Sequence, residues 1–175
     1  NYNFGWPAGD ISDFIEEPSF RGGGLGFTKF VNDNVAMGVS IDWIGFYEKK
    51  PRQVYTFEGG AIDAVTFRYF YETAVVANFQ YFPVKEAPVL PYIGVNVGTT
   101  YITQEITASV LSIVETSWNF TYSPEIGIHL PFGSSGMGLN VMGRYNFSTY
   151  DKFNMENADF ISMGVGLSFL MDQYY

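Results

Sequence analysis

From Phe160 to Met171 the chain alternates with period two. Ile161, Met163, Val165, Leu167 and Phe169 fall on one parity, and Ser162, Gly164, Gly166 and Ser168 on the other. Successive side chains of a strand point to opposite faces of its sheet, so the segment predicts a strand with one oily face and one nearly bare of side chains. About nine to eleven tilted residues carry a strand across a bilayer, and the series from Ile161 to Met171 covers eleven positions. The wall of a narrow transmembrane barrel meets both demands.

Earlier segments repeat the pattern between turn signals. Tyr2 to Asp10 sets Tyr2, Phe4, Trp6 and Ala8 against Asn3, Gly5, Pro7 and Gly9, with a loop expected over Ile11 to Pro18. Ser19 to Val31 opposes Leu25 and Phe27 to Gly22, Gly24, Gly26 and Thr28, and ends at Asn32-Asp33-Asn34, residues suited to a tight turn. Val35 to Tyr47 follows, then an expected loop through Glu48, Lys49, Lys50, Pro51 and Arg52. The segment from about Ala61 to Phe82 is longer than a membrane requires, so its first half is expected to project beyond the bilayer. Pro91 to Thr103 and Thr116 to Leu130 alternate again, and the β-branched stretch Gln104 to Glu115 between them suits a hairpin above the barrel. Gly133-Ser134-Ser135-Gly136 leads into Met137 to Thr149, and a loop over Tyr150 to Asp159 precedes the last strand. The count is eight, with short turns at 32–34, 83–90 and 132–136 on one end and long loops on the other. That is the asymmetry of bacterial outer-membrane barrels, and an even count places both termini on the periplasmic side.

Parity alone does not say which face is inside. A water-exposed wall carries many Lys and Glu, whereas the polar parity here is mostly Gly, Ser, Thr and Asn, which suits a tight lumen. On the opposite parity Trp6, Trp43, Trp118, Tyr101, Tyr122 and Tyr145 stand toward strand ends, where amphipathic rings straddle a membrane interface. The expectation is an all-β, eight-stranded, antiparallel up-and-down transmembrane barrel over 1–175, forming one domain and touching outer-membrane lipid.

Composition narrows the function. Aromatic residues make up 19% of the chain and charged residues only 15%, against about a quarter in soluble domains. A net charge of −9 argues against nucleic-acid partners, which require a basic footprint. Without cysteine there is no disulfide framework, thiolate metal site, cysteine nucleophile or lipoprotein anchor. Asn1-Tyr2-Asn3-Phe4 has neither the basic nor the apolar region of an export signal, so any leader is expected to have been removed.

Trp6-Pro7-Ala8-Gly9-Asp10, Asp13-Phe14-Ile15, Ser19-Phe20-Arg21-Gly22, Phe30-Val31-Asn32-Asp33-Asn34 and Gly38-Val39-Ser40 occur in that order. With them the chain resembles the small outer-membrane β-barrel domain family, of the OmpX and OmpW type, over essentially its whole length. The resemblance implies an eight-stranded barrel in a Gram-negative outer membrane and brings no catalytic residues.

Candidate chemistry is sparse. Asp42, Arg68, Glu72, Glu125, His129 and Arg144 share the inward parity and are expected to form a paired polar network, since an unpaired charge in a narrow tube is costly. His129 lies two places from Glu125 along one strand face, but a barrel hydrolase needs Ser, His and carboxylate together and open to the membrane. Asp10, Asp13, Glu16 and Glu17 match no EF-hand spacing and are expected to form a solvated acidic loop. Gly22-Gly23-Gly24 lacks the Lys-Ser/Thr and helix of a phosphate loop. No cofactor is expected. Phe30, Ile44, Phe46, Phe70, Met142 and Phe82 should block the lumen, which favours a non-catalytic accessory subunit of an envelope complex for protein assembly, secretion or uptake. A small pore or carrier is the alternative, and a lipid-modifying enzyme a remoter one.

Overall fold

In the computed structural model, residues 1–57, 60–84, 87–108, 111–133, 137–152 and 155–169 are described. They form β1 (Tyr2–Ala8), α1 (Gly9–Phe14), β2 (Ser19–Phe30), β3 (Val35–Phe57), β4 (Gly60–Tyr81), β5 (Leu90–Ala108), β6 (Leu111–Pro131), β7 (Met137–Lys152) and β8 (Met155–Phe169). Each strand pairs antiparallel with its chain neighbours, and β1 closes on β8 from Tyr2↔Val165 to Ala8↔Asp159. Closure leaves no sheet edge within hydrocarbon, as a lipid-embedded sheet requires.

Alternation sets the two faces. Val35, Met37, Val39, Ile41 and Trp43 of β3 point outward, as do Ile161, Met163, Val165 and Leu167 of β8; Val39 is 59% and Leu167 65% exposed. Such an apolar face is stable against lipid, not water. Aromatic rungs cross the strands near one end of this band: Tyr101 and Trp118 at 5.2 Å, Tyr47 and Tyr69 at 5.1 Å, and Tyr122 and Phe147 stacked at 4.8 Å. Such ring pairs contribute about 0.5–1.5 kcal/mol each beyond their burial.

β1 starts from, and β8 runs toward, the turn end. There the Asn32 side chain accepts from the Asn34 and Val35 amides at 3.0 and 2.9 Å, so an Asx turn makes the reversal that Asn32-Asp33-Asn34 predicts. Residues 85–86 of the second turn, 134–136 of the third, and the strand end expected through Met171 lie outside the described residues.

The opposite, loop end differs in construction from the expectation. The excursions are long, but most of their length is strand. β3 continues through Glu48–Arg52, with a register shift in its pairing with β4 between Lys50 and Gln53 that sets Pro51 and Arg52 opposite the single Val65. Tyr150–Asp159 is likewise mostly strand, because a register shift between Thr149 and Lys152 breaks the parity that would have revealed it. Residues 153–154 lie outside the described residues. The hairpin expected over Gln104–Glu115 is present, with pairing out to Ala108↔Leu111. The segment 11–18 is not all loop either: Gly9, at φ 51°, turns the chain into the one-and-a-half turns of α1.

Candidate functional site

The interior is a polar layer between two apolar plugs. At the turn end Ala36, Phe82, Tyr92 and Met142 pack together with Leu90 against them. At the loop end α1 drops Ile11, Phe14 and Ile15 into the barrel mouth against Ile44, Phe46, Phe70, Ile102, Tyr150 and Phe160. Of the expected blockers, Ile44, Phe46 and Phe70 belong to the loop-end plug and Phe82 and Met142 to the other, while the half-exposed Phe30 ring lies tilted against Phe82 at 5.1 Å. The spacing of Ile11, Phe14 and Ile15 is the i, i+3, i+4 signature of an amphipathic helix. It is the signal by which the plug could have been read.

Between the plugs Arg144 reaches both carboxylates on its level. Its Nη1 lies 3.0 Å from Asp42 Oδ2, and its Nε donates to Glu125 Oε2. Glu125 also accepts from Asn96 at 2.9 Å and Gln80 at 3.1 Å, and Asp42 from Ser40 at 2.8 Å. Asn146 extends the layer, accepting from Ser123 and donating to Ser162, both at 2.9 Å. Gly24 makes room: a Cβ there would stand 2.1 Å from Asp42 Oδ1.

The structure does not place the other three expected members in this cluster. Arg68 sits under α1, its Nη1 donating to the Phe14 carbonyl at 2.8 Å and its guanidinium 5.2 Å over the Phe14 ring. Glu72 is buried one level nearer the loop end, with Ser148 Oγ 3.5 Å from one oxygen and no partner on the other. His129 meets Ser168 Oγ at 3.2 Å near the turn end. Tyr92 separates it from Glu125, filling the space over Gly127, where a Cβ would come within 2.4 Å of the Tyr92 ring. A residue two places away on a strand face is a neighbour only if nothing from the next strand intervenes. The outward residues Trp6, Trp43, Trp118, Tyr101, Tyr122 and Tyr145 all remain on the lipid-facing parity.

The acidic loop is fastened at both ends. Asp10 accepts from the Glu156 and Asn157 amides at 2.7 and 3.3 Å. Lys50 bridges Glu16 at 2.9 Å and Glu48 at 2.7 Å, while the Glu16 amide donates to Glu48. Among the described residues no three His, Cys, Asp or Glu gather as metal ligands. The hydrogen bond from Lys50, then its charge, holds the Glu16 carboxyl below the ordinary carboxylate range, and hydrogen bonds to Glu48 and Glu16 hold Lys50 above its usual value. A depressed carboxyl contributes stability above its unfolded pKa and loses it as pH falls through the folded value; a raised lysine contributes below its unfolded pKa and loses it as pH rises through the folded value. The clasp therefore holds around neutrality and weakens below about pH 4. Glu16 is exposed, so the effect is small and screened by salt. The Glu16 amide should exchange faster in Lys50→Met than in the parent near pH 6, once corrected for intrinsic rate; equal protection would show that the clasp does not hold the loop.

A four-stranded sheet of β3, β4, β5 and β6 rises beyond the aromatic rungs at the loop end. Its two edges differ. The β3 edge carries Lys49, Lys50, Pro51, Arg52 and a bulge, and the 11–18 segment crosses it through Glu16 and Glu48. The β6 edge runs Leu111-Ser112-Ile113-Val114-Glu115-Thr116-Ser117. Its pairing with β7 begins only at Thr121↔Ser148, and Ile113 and Val114 are 55% and 52% exposed.

No protein-family model matches the chain, and no curated protein does. Among solved structures, the crystal structure of Ail, the attachment invasion locus protein of Yersinia pestis, superposes with a TM-score of 0.51 over 96% of this chain and 91% of that one, at 12% identity. The chain has the fold of a small outer-membrane β-barrel. At that identity the likeness carries the architecture alone. The polar layer, plugs and protruding sheet are therefore read from this chain's own residues.

Proposed function

We propose that this barrel is a non-catalytic protein of a Gram-negative outer membrane, with both termini periplasmic, and that it serves as an accessory subunit by pairing its protruding sheet with a partner protein outside. The undefended β6 edge carries the proposal. Free edges are normally blunted with Lys, Pro or bulges because their open N–H and C=O groups template pairing with another chain. This barrel applies that defence to β3 and withholds it from β6. An extended segment added along Leu111–Ser117 would gain main-chain hydrogen bonds, with Ile113 and Val114 offering apolar contacts on its two faces.

The plugs weigh against a pore. Eight strands enclose only enough space for side chains, and here apolar residues close both ends of the lumen. Pure protein in a planar bilayer should show no steady single-channel openings; regular steps would favour the carrier reading. Lipid chemistry at His129 has little support, since Ser168 is its neighbour while Glu125 is committed to Arg144 with Tyr92 interposed.

Lysine at Val114 and Ser117 tests the docking edge. The double variant should fold and migrate as the parent but lose partners recovered by gentle co-purification, whereas lysine at Thr56 on the β3 edge should not. Unchanged recovery with the Val114 and Ser117 double variant would remove the β6 edge from the account.

A further inference from the structure

A cavity of about 30 Å³ lies inside the lumen, where the polar layer meets the loop-end plug. Asn3, Asp42, Glu72, Arg144, Asn146 and Ser162 line it from five strands, and Ile44 and Phe160 of the plug border it. Such a space holds one or two water-sized species.

Glu72 distinguishes the cavity from a packing gap. Its residue is 4% exposed, yet Oε2 has no hydrogen-bond partner, and buried acceptors in folded proteins are almost always satisfied. Its charge is equally unmatched. Counting side chains, the layer sets the carboxylates of Asp42, Glu72 and Glu125 against the single guanidinium of Arg144, and that guanidinium is turned to Asp42 and Glu125. The charged side chain that acts on Glu72 is Asp159, another carboxylate. Asn1 bonds Gly24 through its ammonium and Asp42 through its amide, not Glu72. A buried ion without a counter-charge is costly out of water.

We propose that the cavity binds one small monovalent cation of the sodium type, seated on Glu72 Oε2. Asn3 Oδ1, Asn146 Oδ1 and Ser162 Oγ each accept a hydrogen bond and keep a lone pair for the ion. Oxygen donors of this kind suit a hard cation. Calcium would call for six to eight oxygens, several of them carboxylate, and in this cavity one carboxylate oxygen is free. A water there would satisfy that oxygen but leave its charge, whereas a cation answers both. The apolar plugs at the two ends of the lumen would retain the ion once the barrel has closed. The site is independent of the β6 edge and of any partner docked there.

Urea unfolding of the barrel in phosphatidylcholine vesicles tests the site, with sodium chloride compared against N-methylglucamine chloride at equal ionic strength. In about 100 mM sodium the unfolding constant should be about tenfold smaller, the mass-action factor for a site of about 10 mM affinity. Glu72→Gln keeps the shape of the side chain and removes its charge. It should abolish the difference between the two salts and, in N-methylglucamine, be at least as stable as the parent. Glu17→Gln, exposed on the loop, should keep the sodium effect. Equal stability of the parent in the two salts overturns the proposal, leaving a proton or water on Glu72. A sodium effect that survives in Glu72→Gln also overturns it, by placing the ion on surface carboxylates. The comparison of salts in the parent decides the matter by itself if Glu72→Gln fails to fold.

Discussion

Arginine in place of Val39 should destabilise the barrel by about 2–4 kcal/mol in a phospholipid bilayer, the cost of a cation at the midplane of a barrel's lipid face. Val39 is 59% exposed and lies midway along the outward series from Val35 to Trp43, flanked by Phe27 and Ala77 on the neighbouring strands. In a soluble protein, a polar residue at so exposed a site would change stability by no more than about 0.5 kcal/mol. The sign of the hydrophobic argument is thus inverted by the solvent. Urea unfolding of the parent and of Val39→Arg in vesicles measures the difference, and arginine at Ile113, 55% exposed on the part of β6 beyond the rungs, provides the comparison, with an expected effect well below that of Val39→Arg. Equal costs at the two positions would place no hydrocarbon against Val39.

The second large effect lies inside. Arg144→Met removes the cation from Glu125 and Asp42, whose side chains are 1% and 14% exposed. Breaking a buried pair from one side costs about 3–5 kcal/mol, because the surviving charges have lost both water and partner. Methionine keeps much of the arginine's length, so cavity formation contributes little and the loss reports mainly on charge. Neutralising the carboxylates as well, in Arg144→Met/Glu125→Gln/Asp42→Asn, should recover most of it, since Asn96, Gln80 and Ser40 can still bond the amides. Recovery separates an uncompensated charge from a packing defect. A triple variant as unstable as the single one would show that Arg144 holds the lumen by shape.

What could be read from the chain beforehand follows from what each region faces. Where one side meets lipid and the other a narrow lumen, as in 118–130 or 160–168, environment alternates with period two and the residues must follow it. Strand number, pairing order and the outward set are legible for that reason. Beyond the membrane both faces of a strand meet water or the underside of α1, and the constraint lapses. Glu48-Lys49-Lys50-Pro51-Arg52 looks like a loop because charge and proline are tolerated on an edge strand with a bulge, and Tyr150–Asp159 because Tyr150, Met155, Ala158 and Phe160 turn inward around a register shift.

The polar cluster was legible in kind more than in membership. Parity identifies which charges point inward but not how high along the tube they lie, nor what the opposite strand inserts between them. Arg68 therefore holds α1, and Tyr92 divides His129 from Glu125. The divergence of β2 from β3 beyond Gly22↔Ile44 was hidden for a related reason: it is a property of register that Ser19-Phe20-Arg21 does not announce.

On the proposed reading, the sealed lumen, guarded β3 edge and open β6 edge fit a barrel whose outward parts meet a partner while its interior holds shape. That description stands on the oily parity facing hydrocarbon. Dilution of the urea-unfolded chain into phosphatidylcholine vesicles, and separately into amphiphile-free buffer, tests this most directly, with far-UV circular dichroism and the mobility of unheated against heated samples on a denaturing gel as readouts. The account expects β-structure and a heat-dependent mobility shift only with vesicles, and aggregation without them. A folded, soluble monomer in plain buffer would contradict it.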